Sequence, residues 1–251
     1  MLTSFAPGLI IPDIAAEGIV TDEWQPIDTV ENFSPREPGP ATLAGWYVLL
    51  EPLDDSHATS LFEALGNEDQ GLLQRYTADA ECTSLAEIVE LIEAKRGRDG
   101  SAYFAFVDHF NGKALGYGAL MRAYTEHRTI ELGNLLFTSG LRRKRGGTEA
   151  VYLMLRHAFE DLGYRRVEWK CNNLNMASRN AALRYGFSFE GVFRQHMIVR
   201  GENRDSAWFS MLDQEWPSRR AALETWLEPG NFDAYGTQFT SLSKLNGVGG
   251  S

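Results

Sequence analysis

The chain has 251 residues, with 24 Lys+Arg against 34 Asp+Glu for a formal net charge of −10. Its 43% apolar and 23% charged content is that of an ordinary globular protein, which excludes a collagen, a coiled coil or a low-complexity chain. Apolar runs such as Trp46 to Leu50 and Tyr103 to Val107 fall far short of the ~18 to 20 residues of a membrane-spanning helix, and the acidic balance argues against nucleic acid as the main partner, because phosphate backbones need a basic surface. Met1 to Ile14 has no Lys or Arg, and Pro7, Pro12 and Asp13 break its apolar stretch. A signal peptide is therefore not expected, a cytoplasmic protein is, and Cys82 and Cys171 read as reduced thiols without metal-ligand spacing.

In chain order, residues 1–45 hold six of the nine prolines and no sustained period, the mark of an extension rather than a domain. "WYVLLE" from Trp46 reads as a strand, and Ser56 to Leu65 as a short helix with Asp55 or Ser56 as N-cap. Thr83 to Arg96 places Leu85, Ile88, Val89, Leu91 and Ile92 at helical spacing. "SAYFAFVD" and "ALGYGALM" flank Asn111-Gly112 as a hairpin. Thr129 to Phe137 is the next strand, followed by a basic loop and an amphipathic helix over Gly147 to Asp161 that stops at Gly163. "RRVEWKC" is a strand, Ser178 to Tyr185 a helix closed by Gly186, and two strands follow about a polar turn at Gly201 to Asp205. A last helix, Trp216 to Trp226, opens with Pro217. Strand, helix, strand, helix over 129–186 implies one parallel pair among antiparallel hairpins, hence a mixed sheet. The expected division is an extension at 1–45, a domain at 46–215, and a helix and tail at 216–251. The two end segments are candidates for covering the sheet edge or for a homodimer contact.

Chemistry concentrates in "LRRKRGGTEA", residues 141–150. Between 141 and 166 there are seven basic residues (Arg142, Arg143, Lys144, Arg145, Arg156, Arg165, Arg166) against three acidic ones, a local charge opposite to the global one. A glycine pair, Gly146 and Gly147, at the start of an amphipathic helix supplies unpaired N–H groups and the positive end of the helix dipole, which together make an anion site. The competing reading is a solvated basic loop with a glycine helix start. Thr148 is not preceded by Gly-Lys, so this is no Walker loop, and no dinucleotide fingerprint is present.

With these residues the sequence resembles the GNAT acetyltransferases, and within them the branch of ribosomal-protein N-terminal acetyltransferases (RimJ/RimL-like). Arg142, Arg145 and Gly147 fall on the family's cofactor-loop positions, with Arg145 standing where the middle glycine is usual. "NMAS", Asn175 to Ser178, and "YGF", Tyr185 to Phe187, match the second motif at the right spacing, and the likeness covers about residues 45–215. It implies an α/β (α+β) GNAT fold: a central mixed, mostly antiparallel sheet of seven or so strands flanked by helices, with splayed parallel strands at the cofactor site. It also implies acetyl-CoA as cofactor, held by Arg142 and by the amides of Arg143, Lys144, Arg145, Gly146, Gly147 and Thr148, with its arm along the strand ending at Phe137 and touching Asn175. By the same resemblance a strand N–H polarises the thioester, an amine attacks directly without an acyl-enzyme, and Ser178 hydrogen-bonds or protonates the departing thiolate. The tyrosine that many relatives use for this stands here as Ala182.

An α-amine, with a pKa near ~7.7 to 8.0, needs only a weak base. Glu131, early on the strand that feeds the loop, is the candidate, against the reading of a solvent-facing strand glutamate. His127 reads as exposed, and His157 and His196 as structural. Cys171 reads as a buried thiol. Trp169, Trp208 and Phe209 are strand aromatics, of which Trp169 is the candidate wall of an acceptor pocket. The segment Asn67 to Glu81, around Tyr76, would shape the acceptor site, where Glu63, Glu68, Asp69, Asp79 and Glu81 are expected to draw a cationic amine such as a peptide N-terminus, a polyamine or an amino sugar. The alternative function is a CoA-binding module without turnover, supported by Arg145 alone.

Overall fold

The structure, a computed structural model, describes residue 29 and residues 33–247. Most of the proline-rich extension therefore lies outside the described residues, and the unit described below starts at Ser34. In chain order, β1 (Leu43–Ala44) and β2 (Val48–Pro52) precede three helices, α1 (Ala58–Gly66), α2 (Gln70–Gln74) and α3 (Leu85–Arg96). Three strands follow: β3 (Ala102–Asp108), β4 (Ala114–Tyr124) and β5 (Thr129–Phe137). Then come α4 (Arg145–Arg156), β6 (Arg166–Asn172), α5 (Met176–Tyr185), β7 (Ser188–Val199), β8 (Glu202–Leu212), α6 (Trp216–Leu227) and α7 (Leu242–Leu245). The eight strands form one sheet in the order β1-β2-β3-β4-β5-β6-β8-β7, in which β5 and β6 are the parallel pair and all other neighbours are antiparallel. The short β1, outside the expected domain start at residue 46, makes the eighth strand.

Local chemistry sets the element ends. The first helical segment is capped by Asp54, not Asp55 or Ser56: its carboxylate accepts from Ser56 N–H at 2.9 Å, and a 3-10 turn over Asp55–His57 leads into α1. Ser84 and Glu87 form a reciprocal capping box at the start of α3, which sets the boundary one residue past the expected Thr83. Asn175 caps α5, and Gly186 ends it at φ 95°, a left-handed value that glycine adopts without strain. The helix expected to run through Asp161 changes to a π-helical turn at His157–Asp161. The β7–β8 turn is Arg200-Gly201, at φ 52° and 80°, as a two-residue hairpin requires; Glu202 to Asp205, expected in the turn, belong to β8.

The two faces of the sheet are covered unequally. On one face α4, α5 and α6 pack over Phe104, Phe106, Ile130, Val167, Trp169 and Phe209. On the other, α1 and α3 cover Tyr103, Ala105, Tyr117 and Leu136, and this second cluster stops at β5. Strand β3 is thus buried on both sides and reads as an unbroken apolar run. Strand β6 instead alternates, with Val167, Trp169 and Cys171 in the core and Arg166, Glu168, Lys170 and Asn172 on the open face. Trp216, Leu223, Trp226 and Leu242 are buried in the larger core, so the C-terminal helices are part of the packed unit. No helix among the described residues is long and apolar enough to cross a membrane.

One buried carboxylate fastens α4 to the edge of the sheet. Glu149, 3% exposed, accepts from the backbone N–H groups of Trp46, Tyr47 and Val48 at 2.8, 2.7 and 3.0 Å. A Cβ on Gly45 would lie 2.5 Å from that carboxyl, so the turn can close on it only with glycine there. Glu149→Ala strands one buried donor, Val48, and two part-buried ones that water can reach, and should lower unfolding free energy by about 2 to 4 kcal/mol, since a fully buried unpaired group costs about 1 to 3 kcal/mol and a part-buried one less. Urea unfolding of the purified variant measures this.

Candidate active site

Parallel strands β5 and β6 pair at only three positions, Thr129↔Arg166, Ile130↔Val167 and Glu131↔Glu168. Beyond Glu131 the strands part, which leaves the remaining six residues of β5 with no β6 partner. A bulge accompanies the divergence: Tyr117 and Ala119, two apart on β4, face Leu136 and Gly133, three apart on β5. Within it Asn134 sits at φ 50°, and its side-chain oxygen accepts from Lys95 Nζ at 2.9 Å. Lys95 is 1% exposed; it also donates to Asp79 at 2.9 Å and lies 4.6 Å from the centre of the Tyr117 ring. Tyr117 donates its hydroxyl to the same Asp79. Burial pushes the Lys95 ammonium below its ordinary range while Asp79 pulls it back up.

The free edge of β5 runs into the basic loop. Thr138 donates to Leu115 O at 2.6 Å and its carbonyl accepts from the N–H groups of Leu141 and Arg142, while Arg143 takes the left-handed turn conformation at φ 59°. The glycine pair serves packing instead of turning. A Cβ on Gly147 would meet Leu141 O at 2.5 Å, and one on Gly146 would meet Val48 Cγ1 at 2.9 Å. Helix α4 starts with Lys144 as N-cap and no side-chain cap, so the N–H groups of its first turn are left without a capping side chain, next to exposed Arg143 and Lys144. The Arg145 side chain leaves that end: it donates to Tyr47 Oη at 3.0 Å and lies 4.0 Å over the Phe232 ring. Arg142 pairs with Glu68, which also accepts from Ser139 N–H. Thr148 is buried and its hydroxyl accepts from Arg184.

Across the gap, Asn175 Oδ1 accepts from Ser178 N–H at 3.0 Å, and Ser178 Oγ accepts from the Trp169 indole N–H at 3.0 Å. That leaves the Ser178 hydroxyl proton for another acceptor. Burial pushes the neighbouring Cys171 thiol up, with Ser178 hydrogen bonding opposing. Trp169 is 5% exposed and packs on Tyr185 and Phe187 in the α5 side of the core. It is thus turned away from the open face, where it is expected to wall an acceptor pocket, and its one side-chain hydrogen bond goes to Ser178. Phe137 stacks on Phe106 at 5.3 Å, with its ring on that same core side.

Glu131 is 5% exposed, so the solvent-facing reading falls. It marks the last paired position before the gap. Its Oε2 accepts from both Arg122 Nη1 and Lys170 Nζ at 2.7 Å, and Lys170 lies 4.1 Å over the Trp208 ring. The open face therefore carries Trp208 instead of Trp169. Tyr76 lines a cleft of ≈ 340 Å³ at the far end of β6. Of the carboxylates expected around Tyr76, Glu68 and Asp79 are turned inward onto Arg142 and Lys95, whereas Glu63, Asp69 and Glu81 stay exposed, Glu63 paired with Lys113 and Asp69 capping α2. Lys95, Arg122 and Lys170 escaped sequence reasoning, since each works through partners 9 to 39 residues away, and the pairing of Glu68 with Arg142 spans 74 residues.

Comparison with known proteins agrees with this geometry. A GNAT acetyltransferase domain model matches residues 48–188. A GCN5-related N-acetyltransferase from Brucella melitensis is 39% identical, superposes with a TM-score of 0.84, and is aligned over 87% of this chain and 100% of its own. A probable GNAT acetyltransferase from Chromobacterium violaceum is 34% identical over 78% of this chain and 98% of its own, with a TM-score of 0.72. The N-acetyltransferase YoaA of Bacillus subtilis is 24% identical over 169 residues, 66% of this chain and 93% of that protein. A sheet split after three parallel pairs, an uncapped helix at the split and these likenesses have one common account: the chain belongs to the GNAT N-acetyltransferase family.

Proposed function

We propose that this protein moves an acetyl group from acetyl-CoA to a primary amine by direct attack in a ternary complex. One arrangement carries the reading. The gap between β5 and β6 leads to the uncapped start of α4, so a slot for an extended arm and a cradle for an anion lie in series along one strand and loop. The amides from Arg143 to Thr148 would hold the pyrophosphate, with Arg143 and Lys144 adding charge, and the free edge of β5 up to Phe137 would face the arm. Arg142 would act there only through its pairing with Glu68, which shapes the loop. The Arg145 side chain points to Tyr47 and Phe232, which leaves the row of amides clear and removes the support for a non-catalytic module.

Acetyl-CoA supplies the activated acetyl thioester when bound. Ser178, oriented by Trp169 and by the Asn175 cap, keeps a hydroxyl proton to donate to the leaving sulfur. Glu131 is the base: with Oε2 committed to two cations, proton uptake falls to Oε1. Cys171 is not an acyl carrier, because burial keeps its thiol protonated at neutral pH. The RimJ/RimL-like pattern of "NMAS" and "YGF" supports a peptide α-amine as acceptor, with a small amine as the other class and Tyr76 beside either. The setting is cytoplasmic.

Thiol release from acetyl-CoA against Ala- and Ser-starting peptides, polyamines, amino sugars and free amino acids tests the reading; release with one class supports it, and tight CoA binding without release from any amine overturns it. Ser178→Ala should lower kcat by about 10- to 100-fold with acetyl-CoA affinity retained, the lower range of a lost general acid, and Trp169→Phe should act in the same direction to a smaller extent. Steady-state kinetics separate the two. Gly147→Ala forces a Cβ onto Leu141 O; at an overpacking cost of about 1 to 3 kcal/mol, acetyl-CoA affinity measured by calorimetry should drop about tenfold or more.

A further inference from the structure

The half of the sheet that no helix covers holds a guanidinium without a counter-ion. Arg204 on β8 is half-buried, and its Nε donates to Ser206 Oγ at 3.2 Å. Arg122, Arg142, Arg166 and Arg220 each meet a carboxylate within ion-pair distance; Arg204 meets none among the described residues. The nearby Glu131 is already held by Arg122 and Lys170. Burial pushes the Arg204 guanidinium down from its ordinary range, the direction for a charge removed from water without compensation. Charged side chains out of water are ordinarily paired.

Arg204 lines the ≈ 340 Å³ cleft together with Arg75, Tyr76, Asn172, Arg200 and Glu202. Arg75 lies over the Tyr76 ring at 5.6 Å and has no ion pair among the described residues. Arg200, by contrast, is spent: it donates to the carbonyls of Gln74, Thr77 and Asp79 at 2.7 to 2.9 Å, and so ties the β7–β8 hairpin tip to the end of α2 and closes the cleft. Glu202 is the one carboxylate side chain in the lining. The result is a small cleft with two uncommitted guanidinium groups, placed where β6 ends beside the β5–β6 gap. Planar forks of this kind match carboxylate and phosphate oxygens.

We infer that the amine acceptor carries an anionic group, a carboxylate or a phosphate, which Arg204 and Arg75 bind in the cleft between α2 and the β7–β8 hairpin. The inference rests on the acetyl-transfer reading for the amine end and on the cleft alone for the anion. The test uses matched pairs: O-phosphoethanolamine against ethanolamine, β-alanine against β-alaninamide, and the peptide amides Ser-Asp-Ala against Ser-Asn-Ala. In at least one pair the anionic member should bind the CoA-saturated protein, by calorimetry, about tenfold tighter or more, the factor carried by one charge-assisted hydrogen bond to an otherwise unpaired group. The phosphate and carboxylate pairs tell the two sources apart. Arg204→Gln should bring that ratio close to one, and Arg204→Lys should restore part of it.

Kinetics on the same pairs separate this inference from the reading it rests on. Tighter anionic binding with no acetyl transfer to any amine sinks the transfer reading and leaves the anion site standing. Transfer with no anionic preference in any pair overturns the anion site alone. If Arg204→Gln weakens CoA itself as much as the anionic amine, Arg204 serves the cofactor and the inference fails.

Discussion

The buried Lys95 ammonium is the contact on which the rest of the site depends. A parallel pair would ordinarily zip along its whole length, since each further residue adds ladder hydrogen bonds. Here pairing stops after three positions, and the extra β5 residue is held in a left-handed kink because Asn134 gives its side-chain oxygen to Lys95. Lys95 is fixed in turn by Asp79 and Tyr117. A buried ion pair of this kind adds little net stability once desolvation is counted. What it adds is position: the third hydrogen bond of the ammonium, to Asn134, is made with the bulge present, so the conformation that parts the strands is the one in which Asn134 reaches Lys95.

A second set of contacts holds the basic loop and the start of α4 beside that gap. Glu149 ties the second turn of α4 to the β1–β2 turn, Arg145 reaches the same turn through Tyr47, and Glu68 grips the loop from the α1–α2 side. The start of α4 is thus anchored from both faces of the sheet, with no side chain spent on capping its own N–H groups. Anchoring by side chains elsewhere, rather than by a cap, keeps those donors available.

The order of the main elements, the parallel pair and the place of the basic loop before a helix were legible in the sequence because each leaves a local mark. Strand β5 has the bounds its apolar run implies, Gly186 ends α5 where the pattern stops, and the basic loop meets the start of α4. The misses share one cause, distance along the chain. The carboxylates of Glu68 and Asp79 looked like part of an acidic surface because their neighbours in sequence are acidic too, yet both side chains are buried against Arg142 and Lys95, 74 and 16 residues away. Trp169 and Trp208 sit on adjacent strands at nearly opposed positions, Trp169 facing Phe209 and Lys170 facing Trp208. Which indole faces the core is decided by register, and one step of register exchanges the faces. Arg145, an exception to the loop pattern in sequence terms, is explained by aromatic rings 98 and 87 residues distant.

The charge on the open face also bears on how an amine loses its proton. Burial first, and then Lys170, Arg204 and Arg122, hold the His196 imidazole below its ordinary range. The same cations act on any ammonium brought near the β5–β6 gap, because a positive field disfavours the protonated form of every amine alike. An α-amine already about a tenth neutral at pH 7 is shifted further toward the nucleophilic form before any base takes part. In the proposed mechanism Glu131 would then need only to accept a proton already poised to leave, which is compatible with a carboxylate whose one oxygen is committed to Arg122 and Lys170. In a field of this sign a purely cationic acceptor would be repelled, whereas the anionic amine we infer would be attracted as a whole while its nitrogen is deprotonated, so the cations proposed to bind such a substrate would also activate it.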